Sequence, residues 1–350
     1  MTGFPTAAAL LADAVAERAT PAVVVETGRA AGVLWREAFG RLTYDADAPP
    51  ATTDTIFDLA SLTKVLGTAT LAMRAVDENR LRLEDPVRGH LSQWRGADRE
   101  RVTIRDLLAH CSGLTTYLPF YRDHEGRVEF ERSICTMPLE YAPRTRALYS
   151  DLGFILLGFI LEDALGARLA DAFEAVRPGL TTGPLCFNPA APLKARAAPT
   201  EVDAWRGRLL KGEVHDENAW ALGGAAGHAG LFGTAAAVGD FARLLLATFD
   251  ADTALARRAT LRAFTAKTTD VPGSSRALGW DTMVPTSSSG ARLSRRAIGH
   301  TGFTGTSLWI DPELDLYVVL LTNTIHPTRE DNRFKPLRGR IHDAIVGDLA

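Results

Sequence analysis

The period of the apolar positions changes along the chain, and the changes outline a fold. Residues 5–19 place Ala8, Leu11, Ala12 and Val15 on one helical stripe that Thr20-Pro21 ends, which predicts an amphipathic first helix. Residues 22–26 and 32–39 are β-rich runs on either side of Thr27-Gly28-Arg29 and predict an antiparallel hairpin. From Leu62 the set Leu62, Val65, Leu66, Ala69, Ala72, Met73 and Val76 recurs at i, i+3, i+4 and i+7. A buried helix is predicted there, with Ser61 at its N-terminus.

Helical patterns dominate from about 85 to 265. Thr103 is positioned to cap a helix over 104–110 that Ser112-Gly113 stops, and Asp151 to open an apolar helix reaching Leu165. A further helix is predicted over 238–246, and the Pro-, Gly- and Ala-rich stretches 177–199 and 271–290 read as surface connections. The last third returns to β-type segments at 278–283, 297–300, 306–310 and 316–322. Asp311-Pro312-Glu313 turns between two of them, and a helix over 335–349 closes the chain. The predicted class is α/β (α+β): an antiparallel sheet built from both termini (1–80 and 266–350) and flanked by helices, plus an inserted mainly helical domain (81–265). The active site is predicted in the cleft between the two parts.

Composition narrows the function. With 46% hydrophobic and 23% charged positions in 350 residues, the chain can bury a large core. A net charge of -3 without a basic block argues against a nucleic-acid partner. Cys111, Cys135 and Cys186 cannot all pair and lack metal-ligand spacing, which suits a reducing compartment. The N-terminus has no basic n-region, so no export signal is expected. The most apolar run, 152–161, stops at Glu162-Asp163, short of the roughly 20 residues a membrane span needs. The expectation is a cytoplasmic protein with no membrane partner, no cofactor and no metal. Its oligomeric state is left open.

Three short motifs could carry chemistry. In Ser61-Leu62-Thr63-Lys64, the three-residue spacing lets Lys64 approach the Ser61 hydroxyl on one helix face. Burial and the helix N-terminus both disfavour the Lys64 charge, so a lowered pKa and a base for Ser61 are expected. Tyr149-Ser150-Asp151 precedes a helix too apolar to be exposed, and a phenol between two cations can serve as a general base. His300-Thr301-Gly302-Phe303, with Gly305 close behind, ends a β-run whose small residues let a substrate pair with the strand. An N–H there can complete an oxyanion hole with that of Ser61. Adjacent His215, Asp216 and Glu217 read as structural or capping groups rather than ligands of one ion. His110 and Cys111, neighbours on a helix, point apart.

In this order the motifs resemble the serine β-lactamase and penicillin-binding protein superfamily, most closely its class C-like branch. The likeness includes Ile56-Phe57-Asp58-Leu59-Ala60, Leu83-Glu84-Asp85-Pro86-Val87 and the stretch from Val102 to Leu114. It implies Ser61 as the acylated nucleophile, Lys64 as its proton partner, Tyr149 as general base, and the N–H groups of Ser61 and Phe303 as the oxyanion hole. Asp151, His228, His300, Thr301, Gly302 and Asn323 fall among the substrate-binding positions. The stretch from Gly223 to Phe232, with Leu321-Thr322-Asn323 and His326-Pro327-Thr328, resembles members acting on cell-wall peptides, including muramoyl-alanine amidases and D-Ala carboxypeptidases.

Two positions depart from the usual β-lactamase pattern: Asp151 stands in place of the Asn of Tyr-x-Asn, and His300 in place of the Lys of Lys-Thr-Gly. An imidazole attracts an anion only when protonated, so β-lactam binding is expected to strengthen towards pH 6, while a neutral ring donates one hydrogen bond to an ester or amide carbonyl. The implied activity is serine hydrolysis through an acyl-enzyme on a small-molecule or peptide-like substrate. Amide bonds of cell-wall fragments rank first, then carboxylesters, then weak β-lactam hydrolysis. A binding or sensor domain that acylates without turnover is the reading from another class.

Overall fold

The computed structural model describes residues 3–268, 271–330 and 333–350. Its main sheet has six strands: β1 (Ala22–Arg29), β2 (Gly32–Gly40), β3 (Asp281–Thr282), β4 (Ile298–Thr301), β5 (Ser307–Asp311) and β6 (Leu316–Thr322). They lie in the order β2-β1-β6-β5-β4-β3, every neighbouring pair antiparallel. Strands from both ends of the chain therefore form one sheet, and β1 pairs with β6 across nearly 300 residues.

Both faces of this sheet are covered, which is why β1 and β6 read as continuous apolar runs rather than alternating ones. On one face Val23, Val25, Val318 and Leu320 pack with Leu11 of α1 (Pro5–Ala16) and Ile341 of α5 (Leu337–Asp348). On the other, Val24, Val319 and Leu321 join the larger core. There they meet the helix α4 (Ala235–Thr248), and the same core holds Leu71 and Met73 of α2 (Thr70–Asp77) and the apolar α3 (Asp151–Leu165). A three-stranded sheet links Phe57–Asp58 and Leu185–Phe187 to Leu231–Gly233. The stretch 177–199 thus contributes a strand as well as connections.

Several local readings shift. The first hairpin turns at Ala30-Ala31, and β1 runs on through Thr27-Gly28-Arg29 with a register irregularity at Thr27/Gly28. Glycine permits this because a Cβ on Gly28 would stand 2.7 Å from the Tyr317 hydroxyl. The helix after Thr103 ends at Leu108, its start closed by a capping box with Asp106, and His110 takes a positive φ. Ser150, not Asp151, caps α3: its hydroxyl accepts from Gly153 N–H at 3.2 Å, which leaves the Asp151 carboxylate free.

Asn323, placed among substrate-binding residues by the resemblance, is a buried structural tie. Its Oδ1 accepts from Ala22 N–H, and its Nδ2 donates to the carbonyls of Leu42 and Pro199. Three segments distant in sequence meet on this one amide. Asn323→Leu strands three buried backbone groups and should lower unfolding free energy by about 2 to 4 kcal/mol in urea titration. A change near zero would contradict this role.

Candidate active site

Ser61 sits in a single 3-10 turn, Ala60–Leu62, followed by a π-helical segment, Lys64–Ala69, before α2 begins. The uniform helix expected from the periodicity is thus replaced at its start by two non-α geometries, a pattern frequent at functional sites. Ala60 is held at φ +46, a conformation costly for a residue with a Cβ. The surroundings enforce it. Buried Asp58 accepts from Ala60 N–H (2.8 Å) and from His215 N–H (2.7 Å). Thr304 and Thr306, from the β4–β5 hairpin, donate their hydroxyls to the carbonyls of Asp58 and Leu59. At Gly302 a Cβ would come within 2.7 Å of Leu59 O, so glycine lets the hairpin backbone lie against the Ser61 turn.

Lys64 is fully buried, and protein groups replace its water. Nζ lies 2.7 Å from Asp151 Oδ1 and donates to Ser61 Oγ and to the His228 carbonyl, each at 3.0 Å. Tyr149 donates its hydroxyl to Ser61 Oγ at 2.8 Å, and Lys64 Nζ stands 4.8 Å from its ring centre. Two proton-bearing groups from distant segments therefore converge on one serine oxygen. Burial alone would push Lys64 down, but the Asp151 and Tyr149 charges outweigh it and its pKa is raised. This reverses the lowered value expected from sequence, because the counter-charge comes from the start of α3. Burial also raises Tyr149, against the pull of Lys64. Arg276, 5.3 Å from the Tyr149 ring, is the second cation near the phenol.

The remaining candidates divide. Asp151, His300, Thr301, Gly302 and Phe303 line one cleft of about 580 Å³ with Ser61 and Tyr149. Phe303, 58% exposed, stacks on His215 at its rim. His228 is a correction: its ring is buried away from the cleft with Nε2 2.8 Å from Asp216, and only its carbonyl reaches the site, through Lys64. Asn323 likewise stays outside the cleft. His215 pairs with Glu201, Asp216 caps the helix Glu217–Ala221, and Glu217 pairs with Arg329. Among the described residues no group of three or more His, Cys, Asp or Glu is placed to hold a metal, and no helix is long and apolar enough to cross a membrane. Cys135 and Cys186 are free thiols, and Cys111 Sγ donates to Asp106 Oδ1 at 3.4 Å.

Sequence reasoning missed the roles of Asp58, Arg276 and His110. Asp58 lies within a quoted motif, but its two backbone bonds are visible only in three dimensions. Arg276 lies in a stretch read as a surface connection. His110 accepts from Ser150 N–H at 3.0 Å and packs its ring 4.8 Å from that of Tyr149, supporting the phenol from behind.

The family model described as Beta-lactamase matches residues 7–340. The chain belongs to the beta-lactamase family. It is 31% identical to a putative D-alanyl-D-alanine carboxypeptidase of Escherichia coli (strain K12), over 87% of this chain and 78% of that protein. It is 32% identical to the N-acetylmuramyl-L-alanine amidase of Bacillus subtilis (strain 168), over 78% of this chain and 69% of that one. Among solved structures it is similar to EstCE1, a hydrolase with promiscuous acyltransferase activity, with a TM-score of 0.76, 22% identity and 99% of each chain covered. At that identity the structural likeness speaks for the fold, which is the antiparallel sheet flanked by helices expected from sequence. As a member of the beta-lactamase family the protein is a serine hydrolase.

Within this family the two departures now have a physical content. Asp151 supplies a counter-ion to Lys64, where an Asn would supply only a dipole. His300 is buried, and burial together with the Lys64 and Arg276 charges drives its pKa well below the ordinary value. Both effects favour the neutral ring and so act against the protonation on which the expected strengthening of anion binding towards pH 6 depends. Its Nδ1 lies 2.8 Å from Thr301 O, a pure acceptor, so Nδ1 carries the proton and Nε2 presents a lone pair. The ring's one donor is thus already used, and it has none to offer a substrate carbonyl.

Two tests follow from this geometry. Because Asp151 raises both Lys64 and Tyr149, Asp151→Asn should move the ascending limb of the kcat/KM profile to lower pH. A limb that stays or moves up would contradict the role given to the pair. The ring nitrogens of His300 should not titrate between about pH 6 and pH 8 in nitrogen-15 NMR. Titration in that window would restore the pH-dependent anion site.

Proposed function

We propose that this protein cleaves an amide bond in cell-wall-derived peptide fragments through an acyl-enzyme at Ser61. The observation that carries the reading is the convergence of Tyr149 and Lys64 on Ser61 Oγ. Tyr149 acts once its own proton has left to solvent: the phenolate takes the Ser61 proton as the oxygen attacks the carbonyl, and the resulting phenol gives it to the leaving amine. Lys64, kept as an ammonium by Asp151, stabilises the phenolate before that proton arrives and after it has been handed on. The N–H groups of Ser61 and Phe303 receive the oxyanion. Thr301 and Gly302 offer a strand edge to the peptide.

The names of the curated relatives, a carboxypeptidase and an amidase, favour amides over esters. Carboxylester hydrolysis is the second reading, favoured by the full-length likeness to EstCE1.

Incubation with muropeptides, aryl esters and β-lactams, followed by intact mass spectrometry, tests the reading. An acyl adduct on Ser61 with steady release of amine is expected, and Ser61→Ala should lose both. Tyr149→Phe should lower kcat by about a hundredfold or more. A burst without turnover would support a sensor instead, and labelling of Ser61→Ala equal to the parent would refute the nucleophile.

A further inference from the structure

Position 300 carries an imidazole where the usual pattern has a Lys, and burial with the neighbouring cations favours its neutral form. The cleft nevertheless holds a second positive charge beside Tyr149. The Arg276 guanidinium carbon stands over the Tyr149 ring, 5.3 Å from its centre, and the side chain lines the cleft with Ser61. It comes from a different segment, paired across from Asp281 at the start of β3.

The backbone at this point is fastened to its surroundings. The Arg276 carbonyl accepts from Thr268 N–H at 2.8 Å, and in the turn that follows Leu278 N–H donates to Phe264 O and Gly279 N–H to Leu108 O. The side chain is less committed. Its guanidinium is 4.0 Å from one oxygen of Asp281, whose other oxygen accepts from the Ser275 hydroxyl at 2.7 Å.

A phenolate spreads its charge into the ring, so a cation over the ring face is attracted to it more strongly than to the neutral phenol. We propose that Arg276 supplies the second positive charge that stabilises the Tyr149 phenolate, in place of a Lys at position 300. The proposal rests on Tyr149 acting as the base for Ser61. Arg276 is then a positioning residue, acting through the charge state of Tyr149 rather than on the scissile bond. The charges that face the phenol are Lys64 from the Ser61 segment, Asp151 from the start of α3 and Arg276 from the approach to β3. The rings of His110 and His300 complete its surroundings, with centres 4.8 and 5.8 Å from that of Tyr149. Burial and Asp151 hold the phenol protonated, and Arg276 adds to the opposing pull of Lys64.

Carbon-13 labelling at tyrosine Cζ reads the phenol without turnover, and with six tyrosines in the chain Tyr149→Phe assigns its signal. Arg276→Gln should raise the pH at which this signal titrates by about one unit or more, and Arg276→Lys should keep part of the difference. The same comparison in Asp151→Asn, where the phenol titrates lower, should show the same shift. With phenyl acetate, a neutral substrate, the ascending limb of kcat/KM should move up with the signal, a loss of about tenfold at a fixed pH below it. The carbon signal separates Tyr149 from His110 and His300, which lose a neighbouring cation in the same variant.

Equal titration with and without Arg276 in both backgrounds, including a phenol that stays protonated throughout, overturns the proposal. So does a shift of the same size in Arg276→Lys and Arg276→Gln, because packing rather than charge would then be its cause. A phenol that follows Arg276 in a protein whose Tyr149→Phe variant keeps the parent's kcat upholds the electrostatic assignment and overturns the role of Tyr149 as base.

Discussion

A buried cation with one counter-charge governs the site. The Lys64 ammonium has no access to water, and Asp151 lies 2.7 Å away. Removing such a charge from water costs several kcal/mol, and deleting one partner of a buried pair commonly costs about 3 to 5 kcal/mol. The protein must therefore surround Nζ with fixed acceptors. Ser61 Oγ is one of them, the His228 carbonyl another. The reactive hydroxyl is held in place by the same requirement that keeps the cation solvated.

The fold meets this requirement with segments far apart in the chain. The turn at Ser61 leans on Asp58 and on the β4–β5 hairpin. The start of α3 is capped by Ser150, which leaves Asp151 free to face Lys64. The ring of His228 holds Asp216, whose charge burial opposes and His228 stabilises. The sheet contributes rigidity, and its strand β4 brings His300 and Thr301 to the cleft. Because β1 pairs with β6 and β6 with β5, the two ends of the chain fix the hairpin that presses on the Ser61 turn.

Much of this was legible in the sequence. The strands and outer helices were readable because their apolar periods are long and both sheet faces are covered. Ser61, Lys64 and Tyr149 were readable because the chemistry demands those residue types at a three-residue spacing and in that order along the chain. The sign of the Lys64 shift was not, since it depends on a carboxylate 87 positions away whose freedom turns on Ser150 capping the helix. His228 and Asn323 lie in segments that resemble substrate-binding elements, but their partners, such as Ala22 and Pro199 for Asn323, meet them only in the folded chain. Arg276 lies in a stretch without periodicity. The neutral state and tautomer of His300 follow from burial and from Thr301 O, neither of which a residue type announces.

The central claim is that Lys64 stays an ammonium in the resting enzyme and that Asp151 keeps it so. The chain has five lysines, which makes nitrogen-15 labelling at Nζ tractable. NMR titration of these signals, with Lys64→Arg to assign the one that vanishes, tests the claim directly. The account predicts that the Lys64 signal remains that of an ammonium throughout the neutral range, and that Asp151→Asn lowers the pH at which it titrates. A neutral Lys64 amine at pH 7 in the resting protein would contradict it and make Lys64, rather than Tyr149, the base for Ser61.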